Sequence, residues 1–237
     1  SKLFNDVFVP PCTNDSGLSI GAGALVEWKK HGKVNAHNPY LNNWGLQNGD
    51  YSFDNSHIEV VASYLLNGKI IGVCNGFGES GPRALGNRSI LALANSKQTA
   101  EFVSMKLKGR EWYRPIAPVM LSKNLEYFTG EQNNHSLAKY MLMDFSIKPN
   151  RQKEIEGVVH VDGTSRIQII EKRTQNPYIF DLLVYLDETT GTKALINTSF
   201  NAKGRPIVHT EKDALDEAKE MGLEFVVLNG SLVNVKE

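Results

Sequence analysis

Short apolar runs bounded by Gly, Pro, Asn and Asp alternate along this chain with stretches whose apolar residues recur at helical spacing. Runs of that kind at residues 70–74, 89–92, 116–121, 141–147, 166–170, 194–197 and 225–228 read as strands. Helices are expected between them. The best defined start at good caps: Asn176 precedes Pro177 and a helix over 177–186, and Thr210 precedes one over 211–221 that stops at Gly222. Ser56-x-x-Glu59 reads as a capping box for a helix bearing Ile58, Val61, Ala62, Leu65 and Leu66, closed by Gly68. The combination predicts an α/β fold bordering on α+β, with a twisted mixed sheet flanked by helices.

Residues 7–30 contain a separate strand, the polar turn Asn14-Asp15-Ser16-Gly17 and a helical run over 20–28, the fragment of another α/β unit. From 31 to 55 the chain is polar, rich in Asn and Gly, and aperiodic. The expected division is therefore a remnant over 1–30, a linker over 31–55 and a main domain over 56–237. The chain has no initiator Met and opens almost at once on the apolar run Val7-Phe8-Val9, so a piece of a longer protein is expected. With 237 residues, 41% hydrophobic and 22% charged, it has the material for a real core. Two cysteines, Cys12 and Cys74, are too few for a disulfide framework, which fits the cytoplasm. No apolar run approaches the roughly 20 residues that span a bilayer, and residues 1–5 lack the features of a signal peptide, so a soluble protein with no membrane partner is expected.

Formal net charge is zero, so any anion site must be local. From Gly78 to Pro115 seven basic residues (Arg83, Arg88, Lys97, Lys106, Lys108, Arg110, Arg114) stand against three acidic ones (Glu79, Glu101, Glu111). The stretch Gly76-Phe77-Gly78-Glu79-Ser80-Gly81-Pro82-Arg83-Ala84-Leu85-Gly86-Asn87-Arg88-Ser89 leaves an apolar strand and sets four glycines around two arginines. Glycine lets backbone N–H groups approach an anion, and arginine offers a planar fork to phosphate or carboxylate oxygens. A tight turn with surface-paired arginines is the bland alternative. In Lys108-Gly109-Arg110-Glu111-Trp112-Tyr113-Arg114 the aromatics would stack on a nucleotide base or single-stranded nucleic acid; otherwise they belong to the core.

Two more segments put polar groups at strand ends: His160-Val161-Asp162-Gly163-Thr164-Ser165-Arg166 and Asn197-Thr198-Ser199-Phe200-Asn201. Their hydroxyls and amides suit phosphate and ribose oxygens, and equally cap their own turns. His160 beside Asp162 invites a general-base reading against that of a structural histidine. No Gly-x-x-x-x-Gly-Lys-Ser/Thr loop occurs, no two of the six histidines are three or four apart, and no Cys-x-x-Cys exists. ATP, if used, is not held by a Walker loop, and a self-contained zinc site is not expected.

Taken in order, Gly81-Pro82-Arg83-Ala84-Leu85-Gly86-Asn87-Arg88-Ser89, Arg110-Glu111-Trp112-Tyr113-Arg114-Pro115-Ile116-Ala117-Pro118, His160-Val161-Asp162-Gly163-Thr164 and Asn197-Thr198-Ser199-Phe200-Asn201 resemble the C-terminal domain of the NodU/CmcH/TobZ carbamoyltransferases. The resemblance covers most of the chain after about residue 55. It implies a YrdC-like domain that binds ATP and carbamoyl phosphate and forms carbamoyladenylate. By matching positions it implies Arg83, Lys108 and Arg114 as catalytic ligands of phosphate and the carbamoyl group. Arg166, Asn197 and Ser199 would complete the nucleotide site. The implied chemistry is release of carbamate from carbamoyl phosphate, then attack of its oxygen on the α-phosphorus of ATP with loss of pyrophosphate, aided by preset cations and Mg²⁺. Enclosure would protect the carbamate from water.

Residues 8–21 resemble the end of that family's first domain, an actin-like fold akin to the tRNA threonylcarbamoyl transferases. There the aspartate in the place of Asp15 is an iron ligand together with an earlier His-x-x-x-His pair, which is absent here. No metal is therefore expected on this chain, and transfer to a hydroxyl acceptor falls to the missing N-terminal domain of the same polypeptide. The acceptor, whether antibiotic, sugar or Nod-type oligosaccharide, is not readable. Two alternatives remain: an RNA-binding YrdC-type module, disfavoured by the neutral charge, and a threonylcarbamoyladenylate synthase-like enzyme.

Overall fold

A computed structural model of the protein describes residues 9–34, 38–46, 49–132 and 136–236. Val7 and Phe8 of the expected first strand lie outside these, and Val9 has no regular structure. Helix α1 (Leu18–His31) ends at Gly32 in the left-handed conformation. None of its side chains is buried, and Leu18, Leu25, Val26 and Trp28 are exposed.

Helix α2 (Asn55–Leu66) is capped by Asp54, whose Oδ1 accepts from His57 N at 2.8 Å and from Ser56 Oγ at 2.7 Å. This corrects the expected Ser56/Glu59 capping box. A carboxylate just ahead of the helix takes the orphan N–H, and Ser56 serves it as a donor. There follow β1 (Ile71–Cys74), β2 (Arg88–Leu93) and α3 (Lys97–Glu101), which runs on as a π-helical turn over Phe102–Leu107. Then come β3 (Ala117–Leu121), α4 (Leu125–Thr129), β4 (Phe145–Ser146), β5 (Thr164–Ser165) and β6 (Gln168–Ile170). The chain closes with α5 (Pro177–Thr190), β7 (Ala194–Ser199), α6 (Glu211–Met221), β8 (Phe225–Leu228) and β9 (Ser231–Asn234).

Seven strands form one mixed sheet in the order β6-β3-β7-β2-β1-β8-β9, and β4 pairs with β5 in a small antiparallel ladder. Within the large sheet β1–β8 and β3–β6 are parallel and the other pairs antiparallel. Side chains alternate between faces. Ile71, Val73 and Leu91 pack with α2 and α5 on one side, while Cys74, Ile90, Ala92 and Met120 pack with Val103, Ala214 and Ala218 on the other. Burial on both faces explains why the central strands read as continuous apolar runs.

The expected strand over 141–147 shrinks to β4: Met141 takes a positive φ of 54° that no strand accommodates, and Leu142 N donates back to Leu137 O of the preceding 3₁₀ turn. The run over 166–170 is likewise split: Thr164–Ser165 joins β4, and only Gln168–Ile170 joins the large sheet. Strand β9 was not expected. It returns from β8 through Asn229 and Gly230, both at positive φ, a hairpin that an Asn-Gly pair favours. No helix among the described residues is long and apolar enough to cross a membrane.

Gly72 in β1 lets the ring of Phe200 lie against the sheet: a Cβ there would stand 2.6 Å from Phe200 Cε1. Overpacking a core site of this kind costs about 1–3 kcal/mol. Gly72→Ala is therefore expected to lower the denaturant midpoint by that equivalent at unchanged m-value, whereas a wild-type midpoint would mean that the Phe200 ring yields freely.

Candidate functional site

The glycine- and arginine-rich segment crosses from β1 to β2 as an irregular loop built around one buried carboxylate. Glu79, 7% exposed, accepts through Oε1 from the backbone N–H of Leu85 (2.6 Å), Asn87 (2.7 Å) and Arg88 (3.2 Å). Arg88 is buried and its guanidinium is spent on carbonyls: Nη1 donates to Asn75 O and Asn87 O, Nη2 to Gly76 O and His209 O, and Nε to His209 O. It is a strut of the loop. Gly86, at φ 119°, turns the chain where a Cβ would meet Asn176 Nδ2 and Ile179 Cγ1 at 2.6 Å.

The same loop is tied to the sheet by two side-chain amides. Asn197 Nδ2 of β7 donates to Ala84 O at 3.2 Å, and Gln168 Nε2 of β6 donates to Leu85 O at 2.9 Å. The amides also join each other, Asn197 Nδ2 to Gln168 Oε1 at 2.6 Å. Asn197 thus holds the loop from below, with its own Oδ1 buried and unpaired.

Held this way, Arg83 enters a small cavity of about 160 Å³ together with Arg110, Arg114, Arg166, Thr198 and Ser199, with no Asp or Glu in its lining among the described residues. Arg83 makes no hydrogen bond among the described residues, and the Nε atoms of both Arg83 and Arg166 are buried and unpaired. Burial together with Arg114, Arg166 and Arg83 lowers the Arg110 guanidinium to about 10. Burial and Arg83 lower Arg166 in the same direction, against a weak pull from Asp144. Guanidinium groups this close, two of them with buried unpaired Nε donors, have the charge and the donors that a multiply charged oxyanion would satisfy.

Lys108 lies behind this cavity. Its Nζ donates to Ser199 O, to Asn201 O at 2.5 Å, to Asn201 Oδ1 at 2.9 Å and to Ser199 Oγ at 3.3 Å. Burial, with Arg110 and Arg114 near, pulls its ammonium down from 10.5 to about 6. Lys108 thus clamps the turn after β7, and Lys203 N, which donates to Lys108 O at 2.9 Å, locks that turn to the 108–114 segment. Of the six residues expected from sequence, Arg83, Arg114, Arg166 and Ser199 line one cavity, and Lys108 and Asn197 support it. The motif reading passed over Arg110. Its signal was the local excess of basic residues, which counted it without singling it out.

A larger groove of about 900 Å³ shares Arg114, Pro115 and Ile116 with the arginine cavity and is lined by Trp112, Tyr113, His160 and Asp162 among others. Trp112 and Tyr113 are 80% and 66% exposed, so they are not core aromatics. Asp15 is exposed in the short 3₁₀ turn Asp15–Gly17.

The chain is thus an α/β domain with an arginine-lined cavity at the ends of β3 and β7 of its seven-stranded mixed sheet. The chain belongs to the Carbamoyltransferase C-terminus family, which matches residues 62–235. It is 33% identical to MJ1051 of Methanocaldococcus jannaschii, over 97% of this chain and 46% of that protein. It is 35% identical to Nodulation protein U of Rhizobium tropici, over 86% of this chain and 35% of that protein. The chain thus spans less than half the length of these relatives. Among solved structures, full-length HypF in a phosphate- and nucleotide-bound form shares the fold, with a TM-score of 0.53, at 18% identity over 76% of this chain and 25% of that one.

The cavity's chemistry is testable with inorganic pyrophosphate by titration calorimetry. Arg83→Ala and Arg166→Ala are each expected to weaken binding at least about tenfold, since a charge-assisted hydrogen bond contributes about 1.5–3 kcal/mol. Arg83→Lys should not restore the loss, because an ammonium does not reproduce the fork. Unchanged affinity in both alanine variants would place the anion elsewhere.

Proposed function

We propose that this chain is the activation part of an O-carbamoyltransferase, binding ATP and carbamoyl phosphate and joining carbamate to AMP as carbamoyladenylate. The observation that carries the reading is the acid-free cavity of four arginines, two with unpaired Nε atoms, inside a carbamoyltransferase-family domain. A carbamoyl phosphate dianion and an ATP polyphosphate are oxyanions of the kind such a cavity takes. HypF, which shares the fold, is known in a phosphate- and nucleotide-bound form, and that supports the same reading.

In this scheme Arg83, Arg110, Arg114 and Arg166 neutralise the phosphate oxygens and hold the carbamate oxygen in line with the α-phosphorus. Charge that develops on the leaving pyrophosphate meets donors already in place. Ser199 orients Arg110, whose Nη2 lies 3.4 Å from Ser199 Oγ, and Lys108 fixes Ser199. The wider groove, with Trp112 and Tyr113 on its wall, has the room and the apolar faces for a nucleoside. Mg²⁺ would arrive on the ATP phosphates as part of the substrate. Asp15 has no companion ligands among the described residues, and no step is assigned to iron.

The reading extends to the domain plan. Residues 1–30 would end a preceding transfer domain, 31–55 would link it, and 56–237 would be the activation domain. The exposed apolar side chains of α1 support such a separation. Transfer to the hydroxyl acceptor would belong to the preceding domain.

The test is pyrophosphate release from ATP that depends on carbamoyl phosphate. Removal of one preorganised donor costs about 10²–10³ in rate, and Arg83→Ala and Arg166→Ala are expected to lose that much. Lys108→Ala should fall as well, through a displaced Ser199. Release driven by threonine and bicarbonate instead of carbamoyl phosphate would move the assignment to threonylcarbamoyladenylate synthesis.

A further inference from the structure

His160 has partners that sequence alone did not reveal. It opens a tight turn in which its backbone N–H donates to Thr164 O at 2.7 Å and its carbonyl accepts from Gly163 N at 3.0 Å. Within the turn Asp162 Oδ1 accepts from both Thr164 N (3.0 Å) and Thr164 Oγ1 (2.7 Å). A hydroxyl has one proton, and this one is committed to Asp162. Toward His160 Nδ1, 3.1 Å away, Thr164 Oγ1 therefore acts as acceptor. Nδ1 must then carry the ring hydrogen, which leaves Nε2 with a free lone pair.

Nε2 makes no hydrogen bond among the described residues. His160 lines the large groove, which shares Arg114, Pro115 and Ile116 with the arginine cavity, and it feels the charge of Arg166 from that cavity's wall. Among the described residues it is the only histidine in the lining of either cavity. The groove's other proton acceptors are the carboxylates Glu101, Glu156 and Asp162. Ordinary carboxylates, with pKa near about 4, are weaker bases than imidazole by roughly two units. Asp162 is already engaged by Thr164.

We propose that His160 Nε2 is the general base that takes a proton from the water that cleaves carbamoyl phosphate, with the Asp162–Thr164 pair presetting its tautomer. The inference rests on the activity proposed above and assigns its first step. Water oxygen bonds to phosphorus as the bond from phosphorus to the carbamoyl oxygen breaks. The bonding pair leaves with carbamate, and the water proton moves to Nε2. The products are inorganic phosphate and carbamate, and the imidazolium passes its proton to phosphate or solvent. The arginines hold the phosphoryl oxygens and the departing carbamate, which is then beside the nucleotide that it attacks.

The charged groups facing His160 are Asp144, Asp162 and Arg166. Burial holds the imidazole below its ordinary 6.5, Arg166 adds to that, and the two aspartates oppose it. The base is thus neutral at pH 7. Phosphate release should fall only as pH drops below about 6.5 and the ring protonates.

Two rates on the 237-residue chain test this: phosphate release from carbamoyl phosphate, and pyrophosphate release from ATP when ammonium carbamate replaces carbamoyl phosphate. Loss of a general base costs about 10²–10⁴-fold, so His160→Gln is expected to lower the ratio of the first rate to the second by at least about 10². The acid limb of the first rate should vanish in that variant. An unchanged ratio, whether both rates fall or neither does, would overturn the role. Wild-type chain that uses carbamate but releases no phosphate would also overturn it while sparing adenylate formation. Wild-type chain inert with both would instead overturn the activity on which the inference rests.

Discussion

Three backbone demands meet at one buried oxygen, Glu79 Oε1, which accepts from the N–H groups of Leu85, Asn87 and Arg88. The loop between β1 and β2 has no ladder partner for these donors, and each would incur a desolvation cost of about 1–3 kcal/mol if left unpaired. One charged carboxylate oxygen serves all three, its charge strengthening each bond, while Oε2 stays buried and unpaired. Arg88 solves the opposite problem, supplying five N–H donations to the carbonyls of residues 75, 76, 87 and 209. The acid and the base of this loop thus satisfy backbone on either side of it. Arg83, between them, is left free to face the cavity.

The sheet carries the rest of the precision. Asn197 and Gln168 sit on β7 and β6, on opposite sides of β3, and their linked amides reach the carbonyls of Ala84 and Leu85. Lys108 performs the same service for the turn after β7. Four of its oxygen contacts fall on Ser199 and Asn201, so the turn that presents Ser199 is fixed from beneath. These residues act on the site through geometry, and the arginines act through charge.

Much of the fold was legible because the central strands are buried on both faces and the helices carry their own caps. Asn176 accepts from Ile179 N, and Thr210 with Asp213 forms a full capping box, as local sequence demanded. What escaped was set by backbone conformation or by distant partners. Met141 at positive φ cut short a strand that its apolar neighbours had advertised. The Asn229-Gly230 pair is the local signal for the β8–β9 hairpin, and both residues take positive φ there. In the site, arginine identity was readable but depth was not. Lys108 and Arg110 are two residues apart on a chain path that buries one ammonium against carbonyls and turns the next guanidinium into the cavity. Gly109 at positive φ, the bonds of Lys108 N to Val103 O and Arg110 N to Ser104 O, and the Lys203 contact send the two side chains different ways.

The cavity also bears on stability. Four guanidinium groups converge without a carboxylate in the lining, and burial with mutual repulsion already lowers the protonation tendency of Arg110 and Arg166. The folded chain therefore holds unfavourable electrostatic energy that the unfolded chain, with its cations dispersed in water, does not. An anion that binds only the folded state shifts the equilibrium by RT ln(1 + [L]/Kd), about 2.7 kcal/mol at a hundredfold excess over Kd. Relief of the repulsion is part of that binding energy, so the groups that recognise the oxyanion are also those whose fit to the fold improves on its arrival. Substitution of one arginine removes a contact and, in the same stroke, some of the repulsion. The empty protein should then be affected less than the loaded one, which is the signature of residues placed for a ligand rather than for the core.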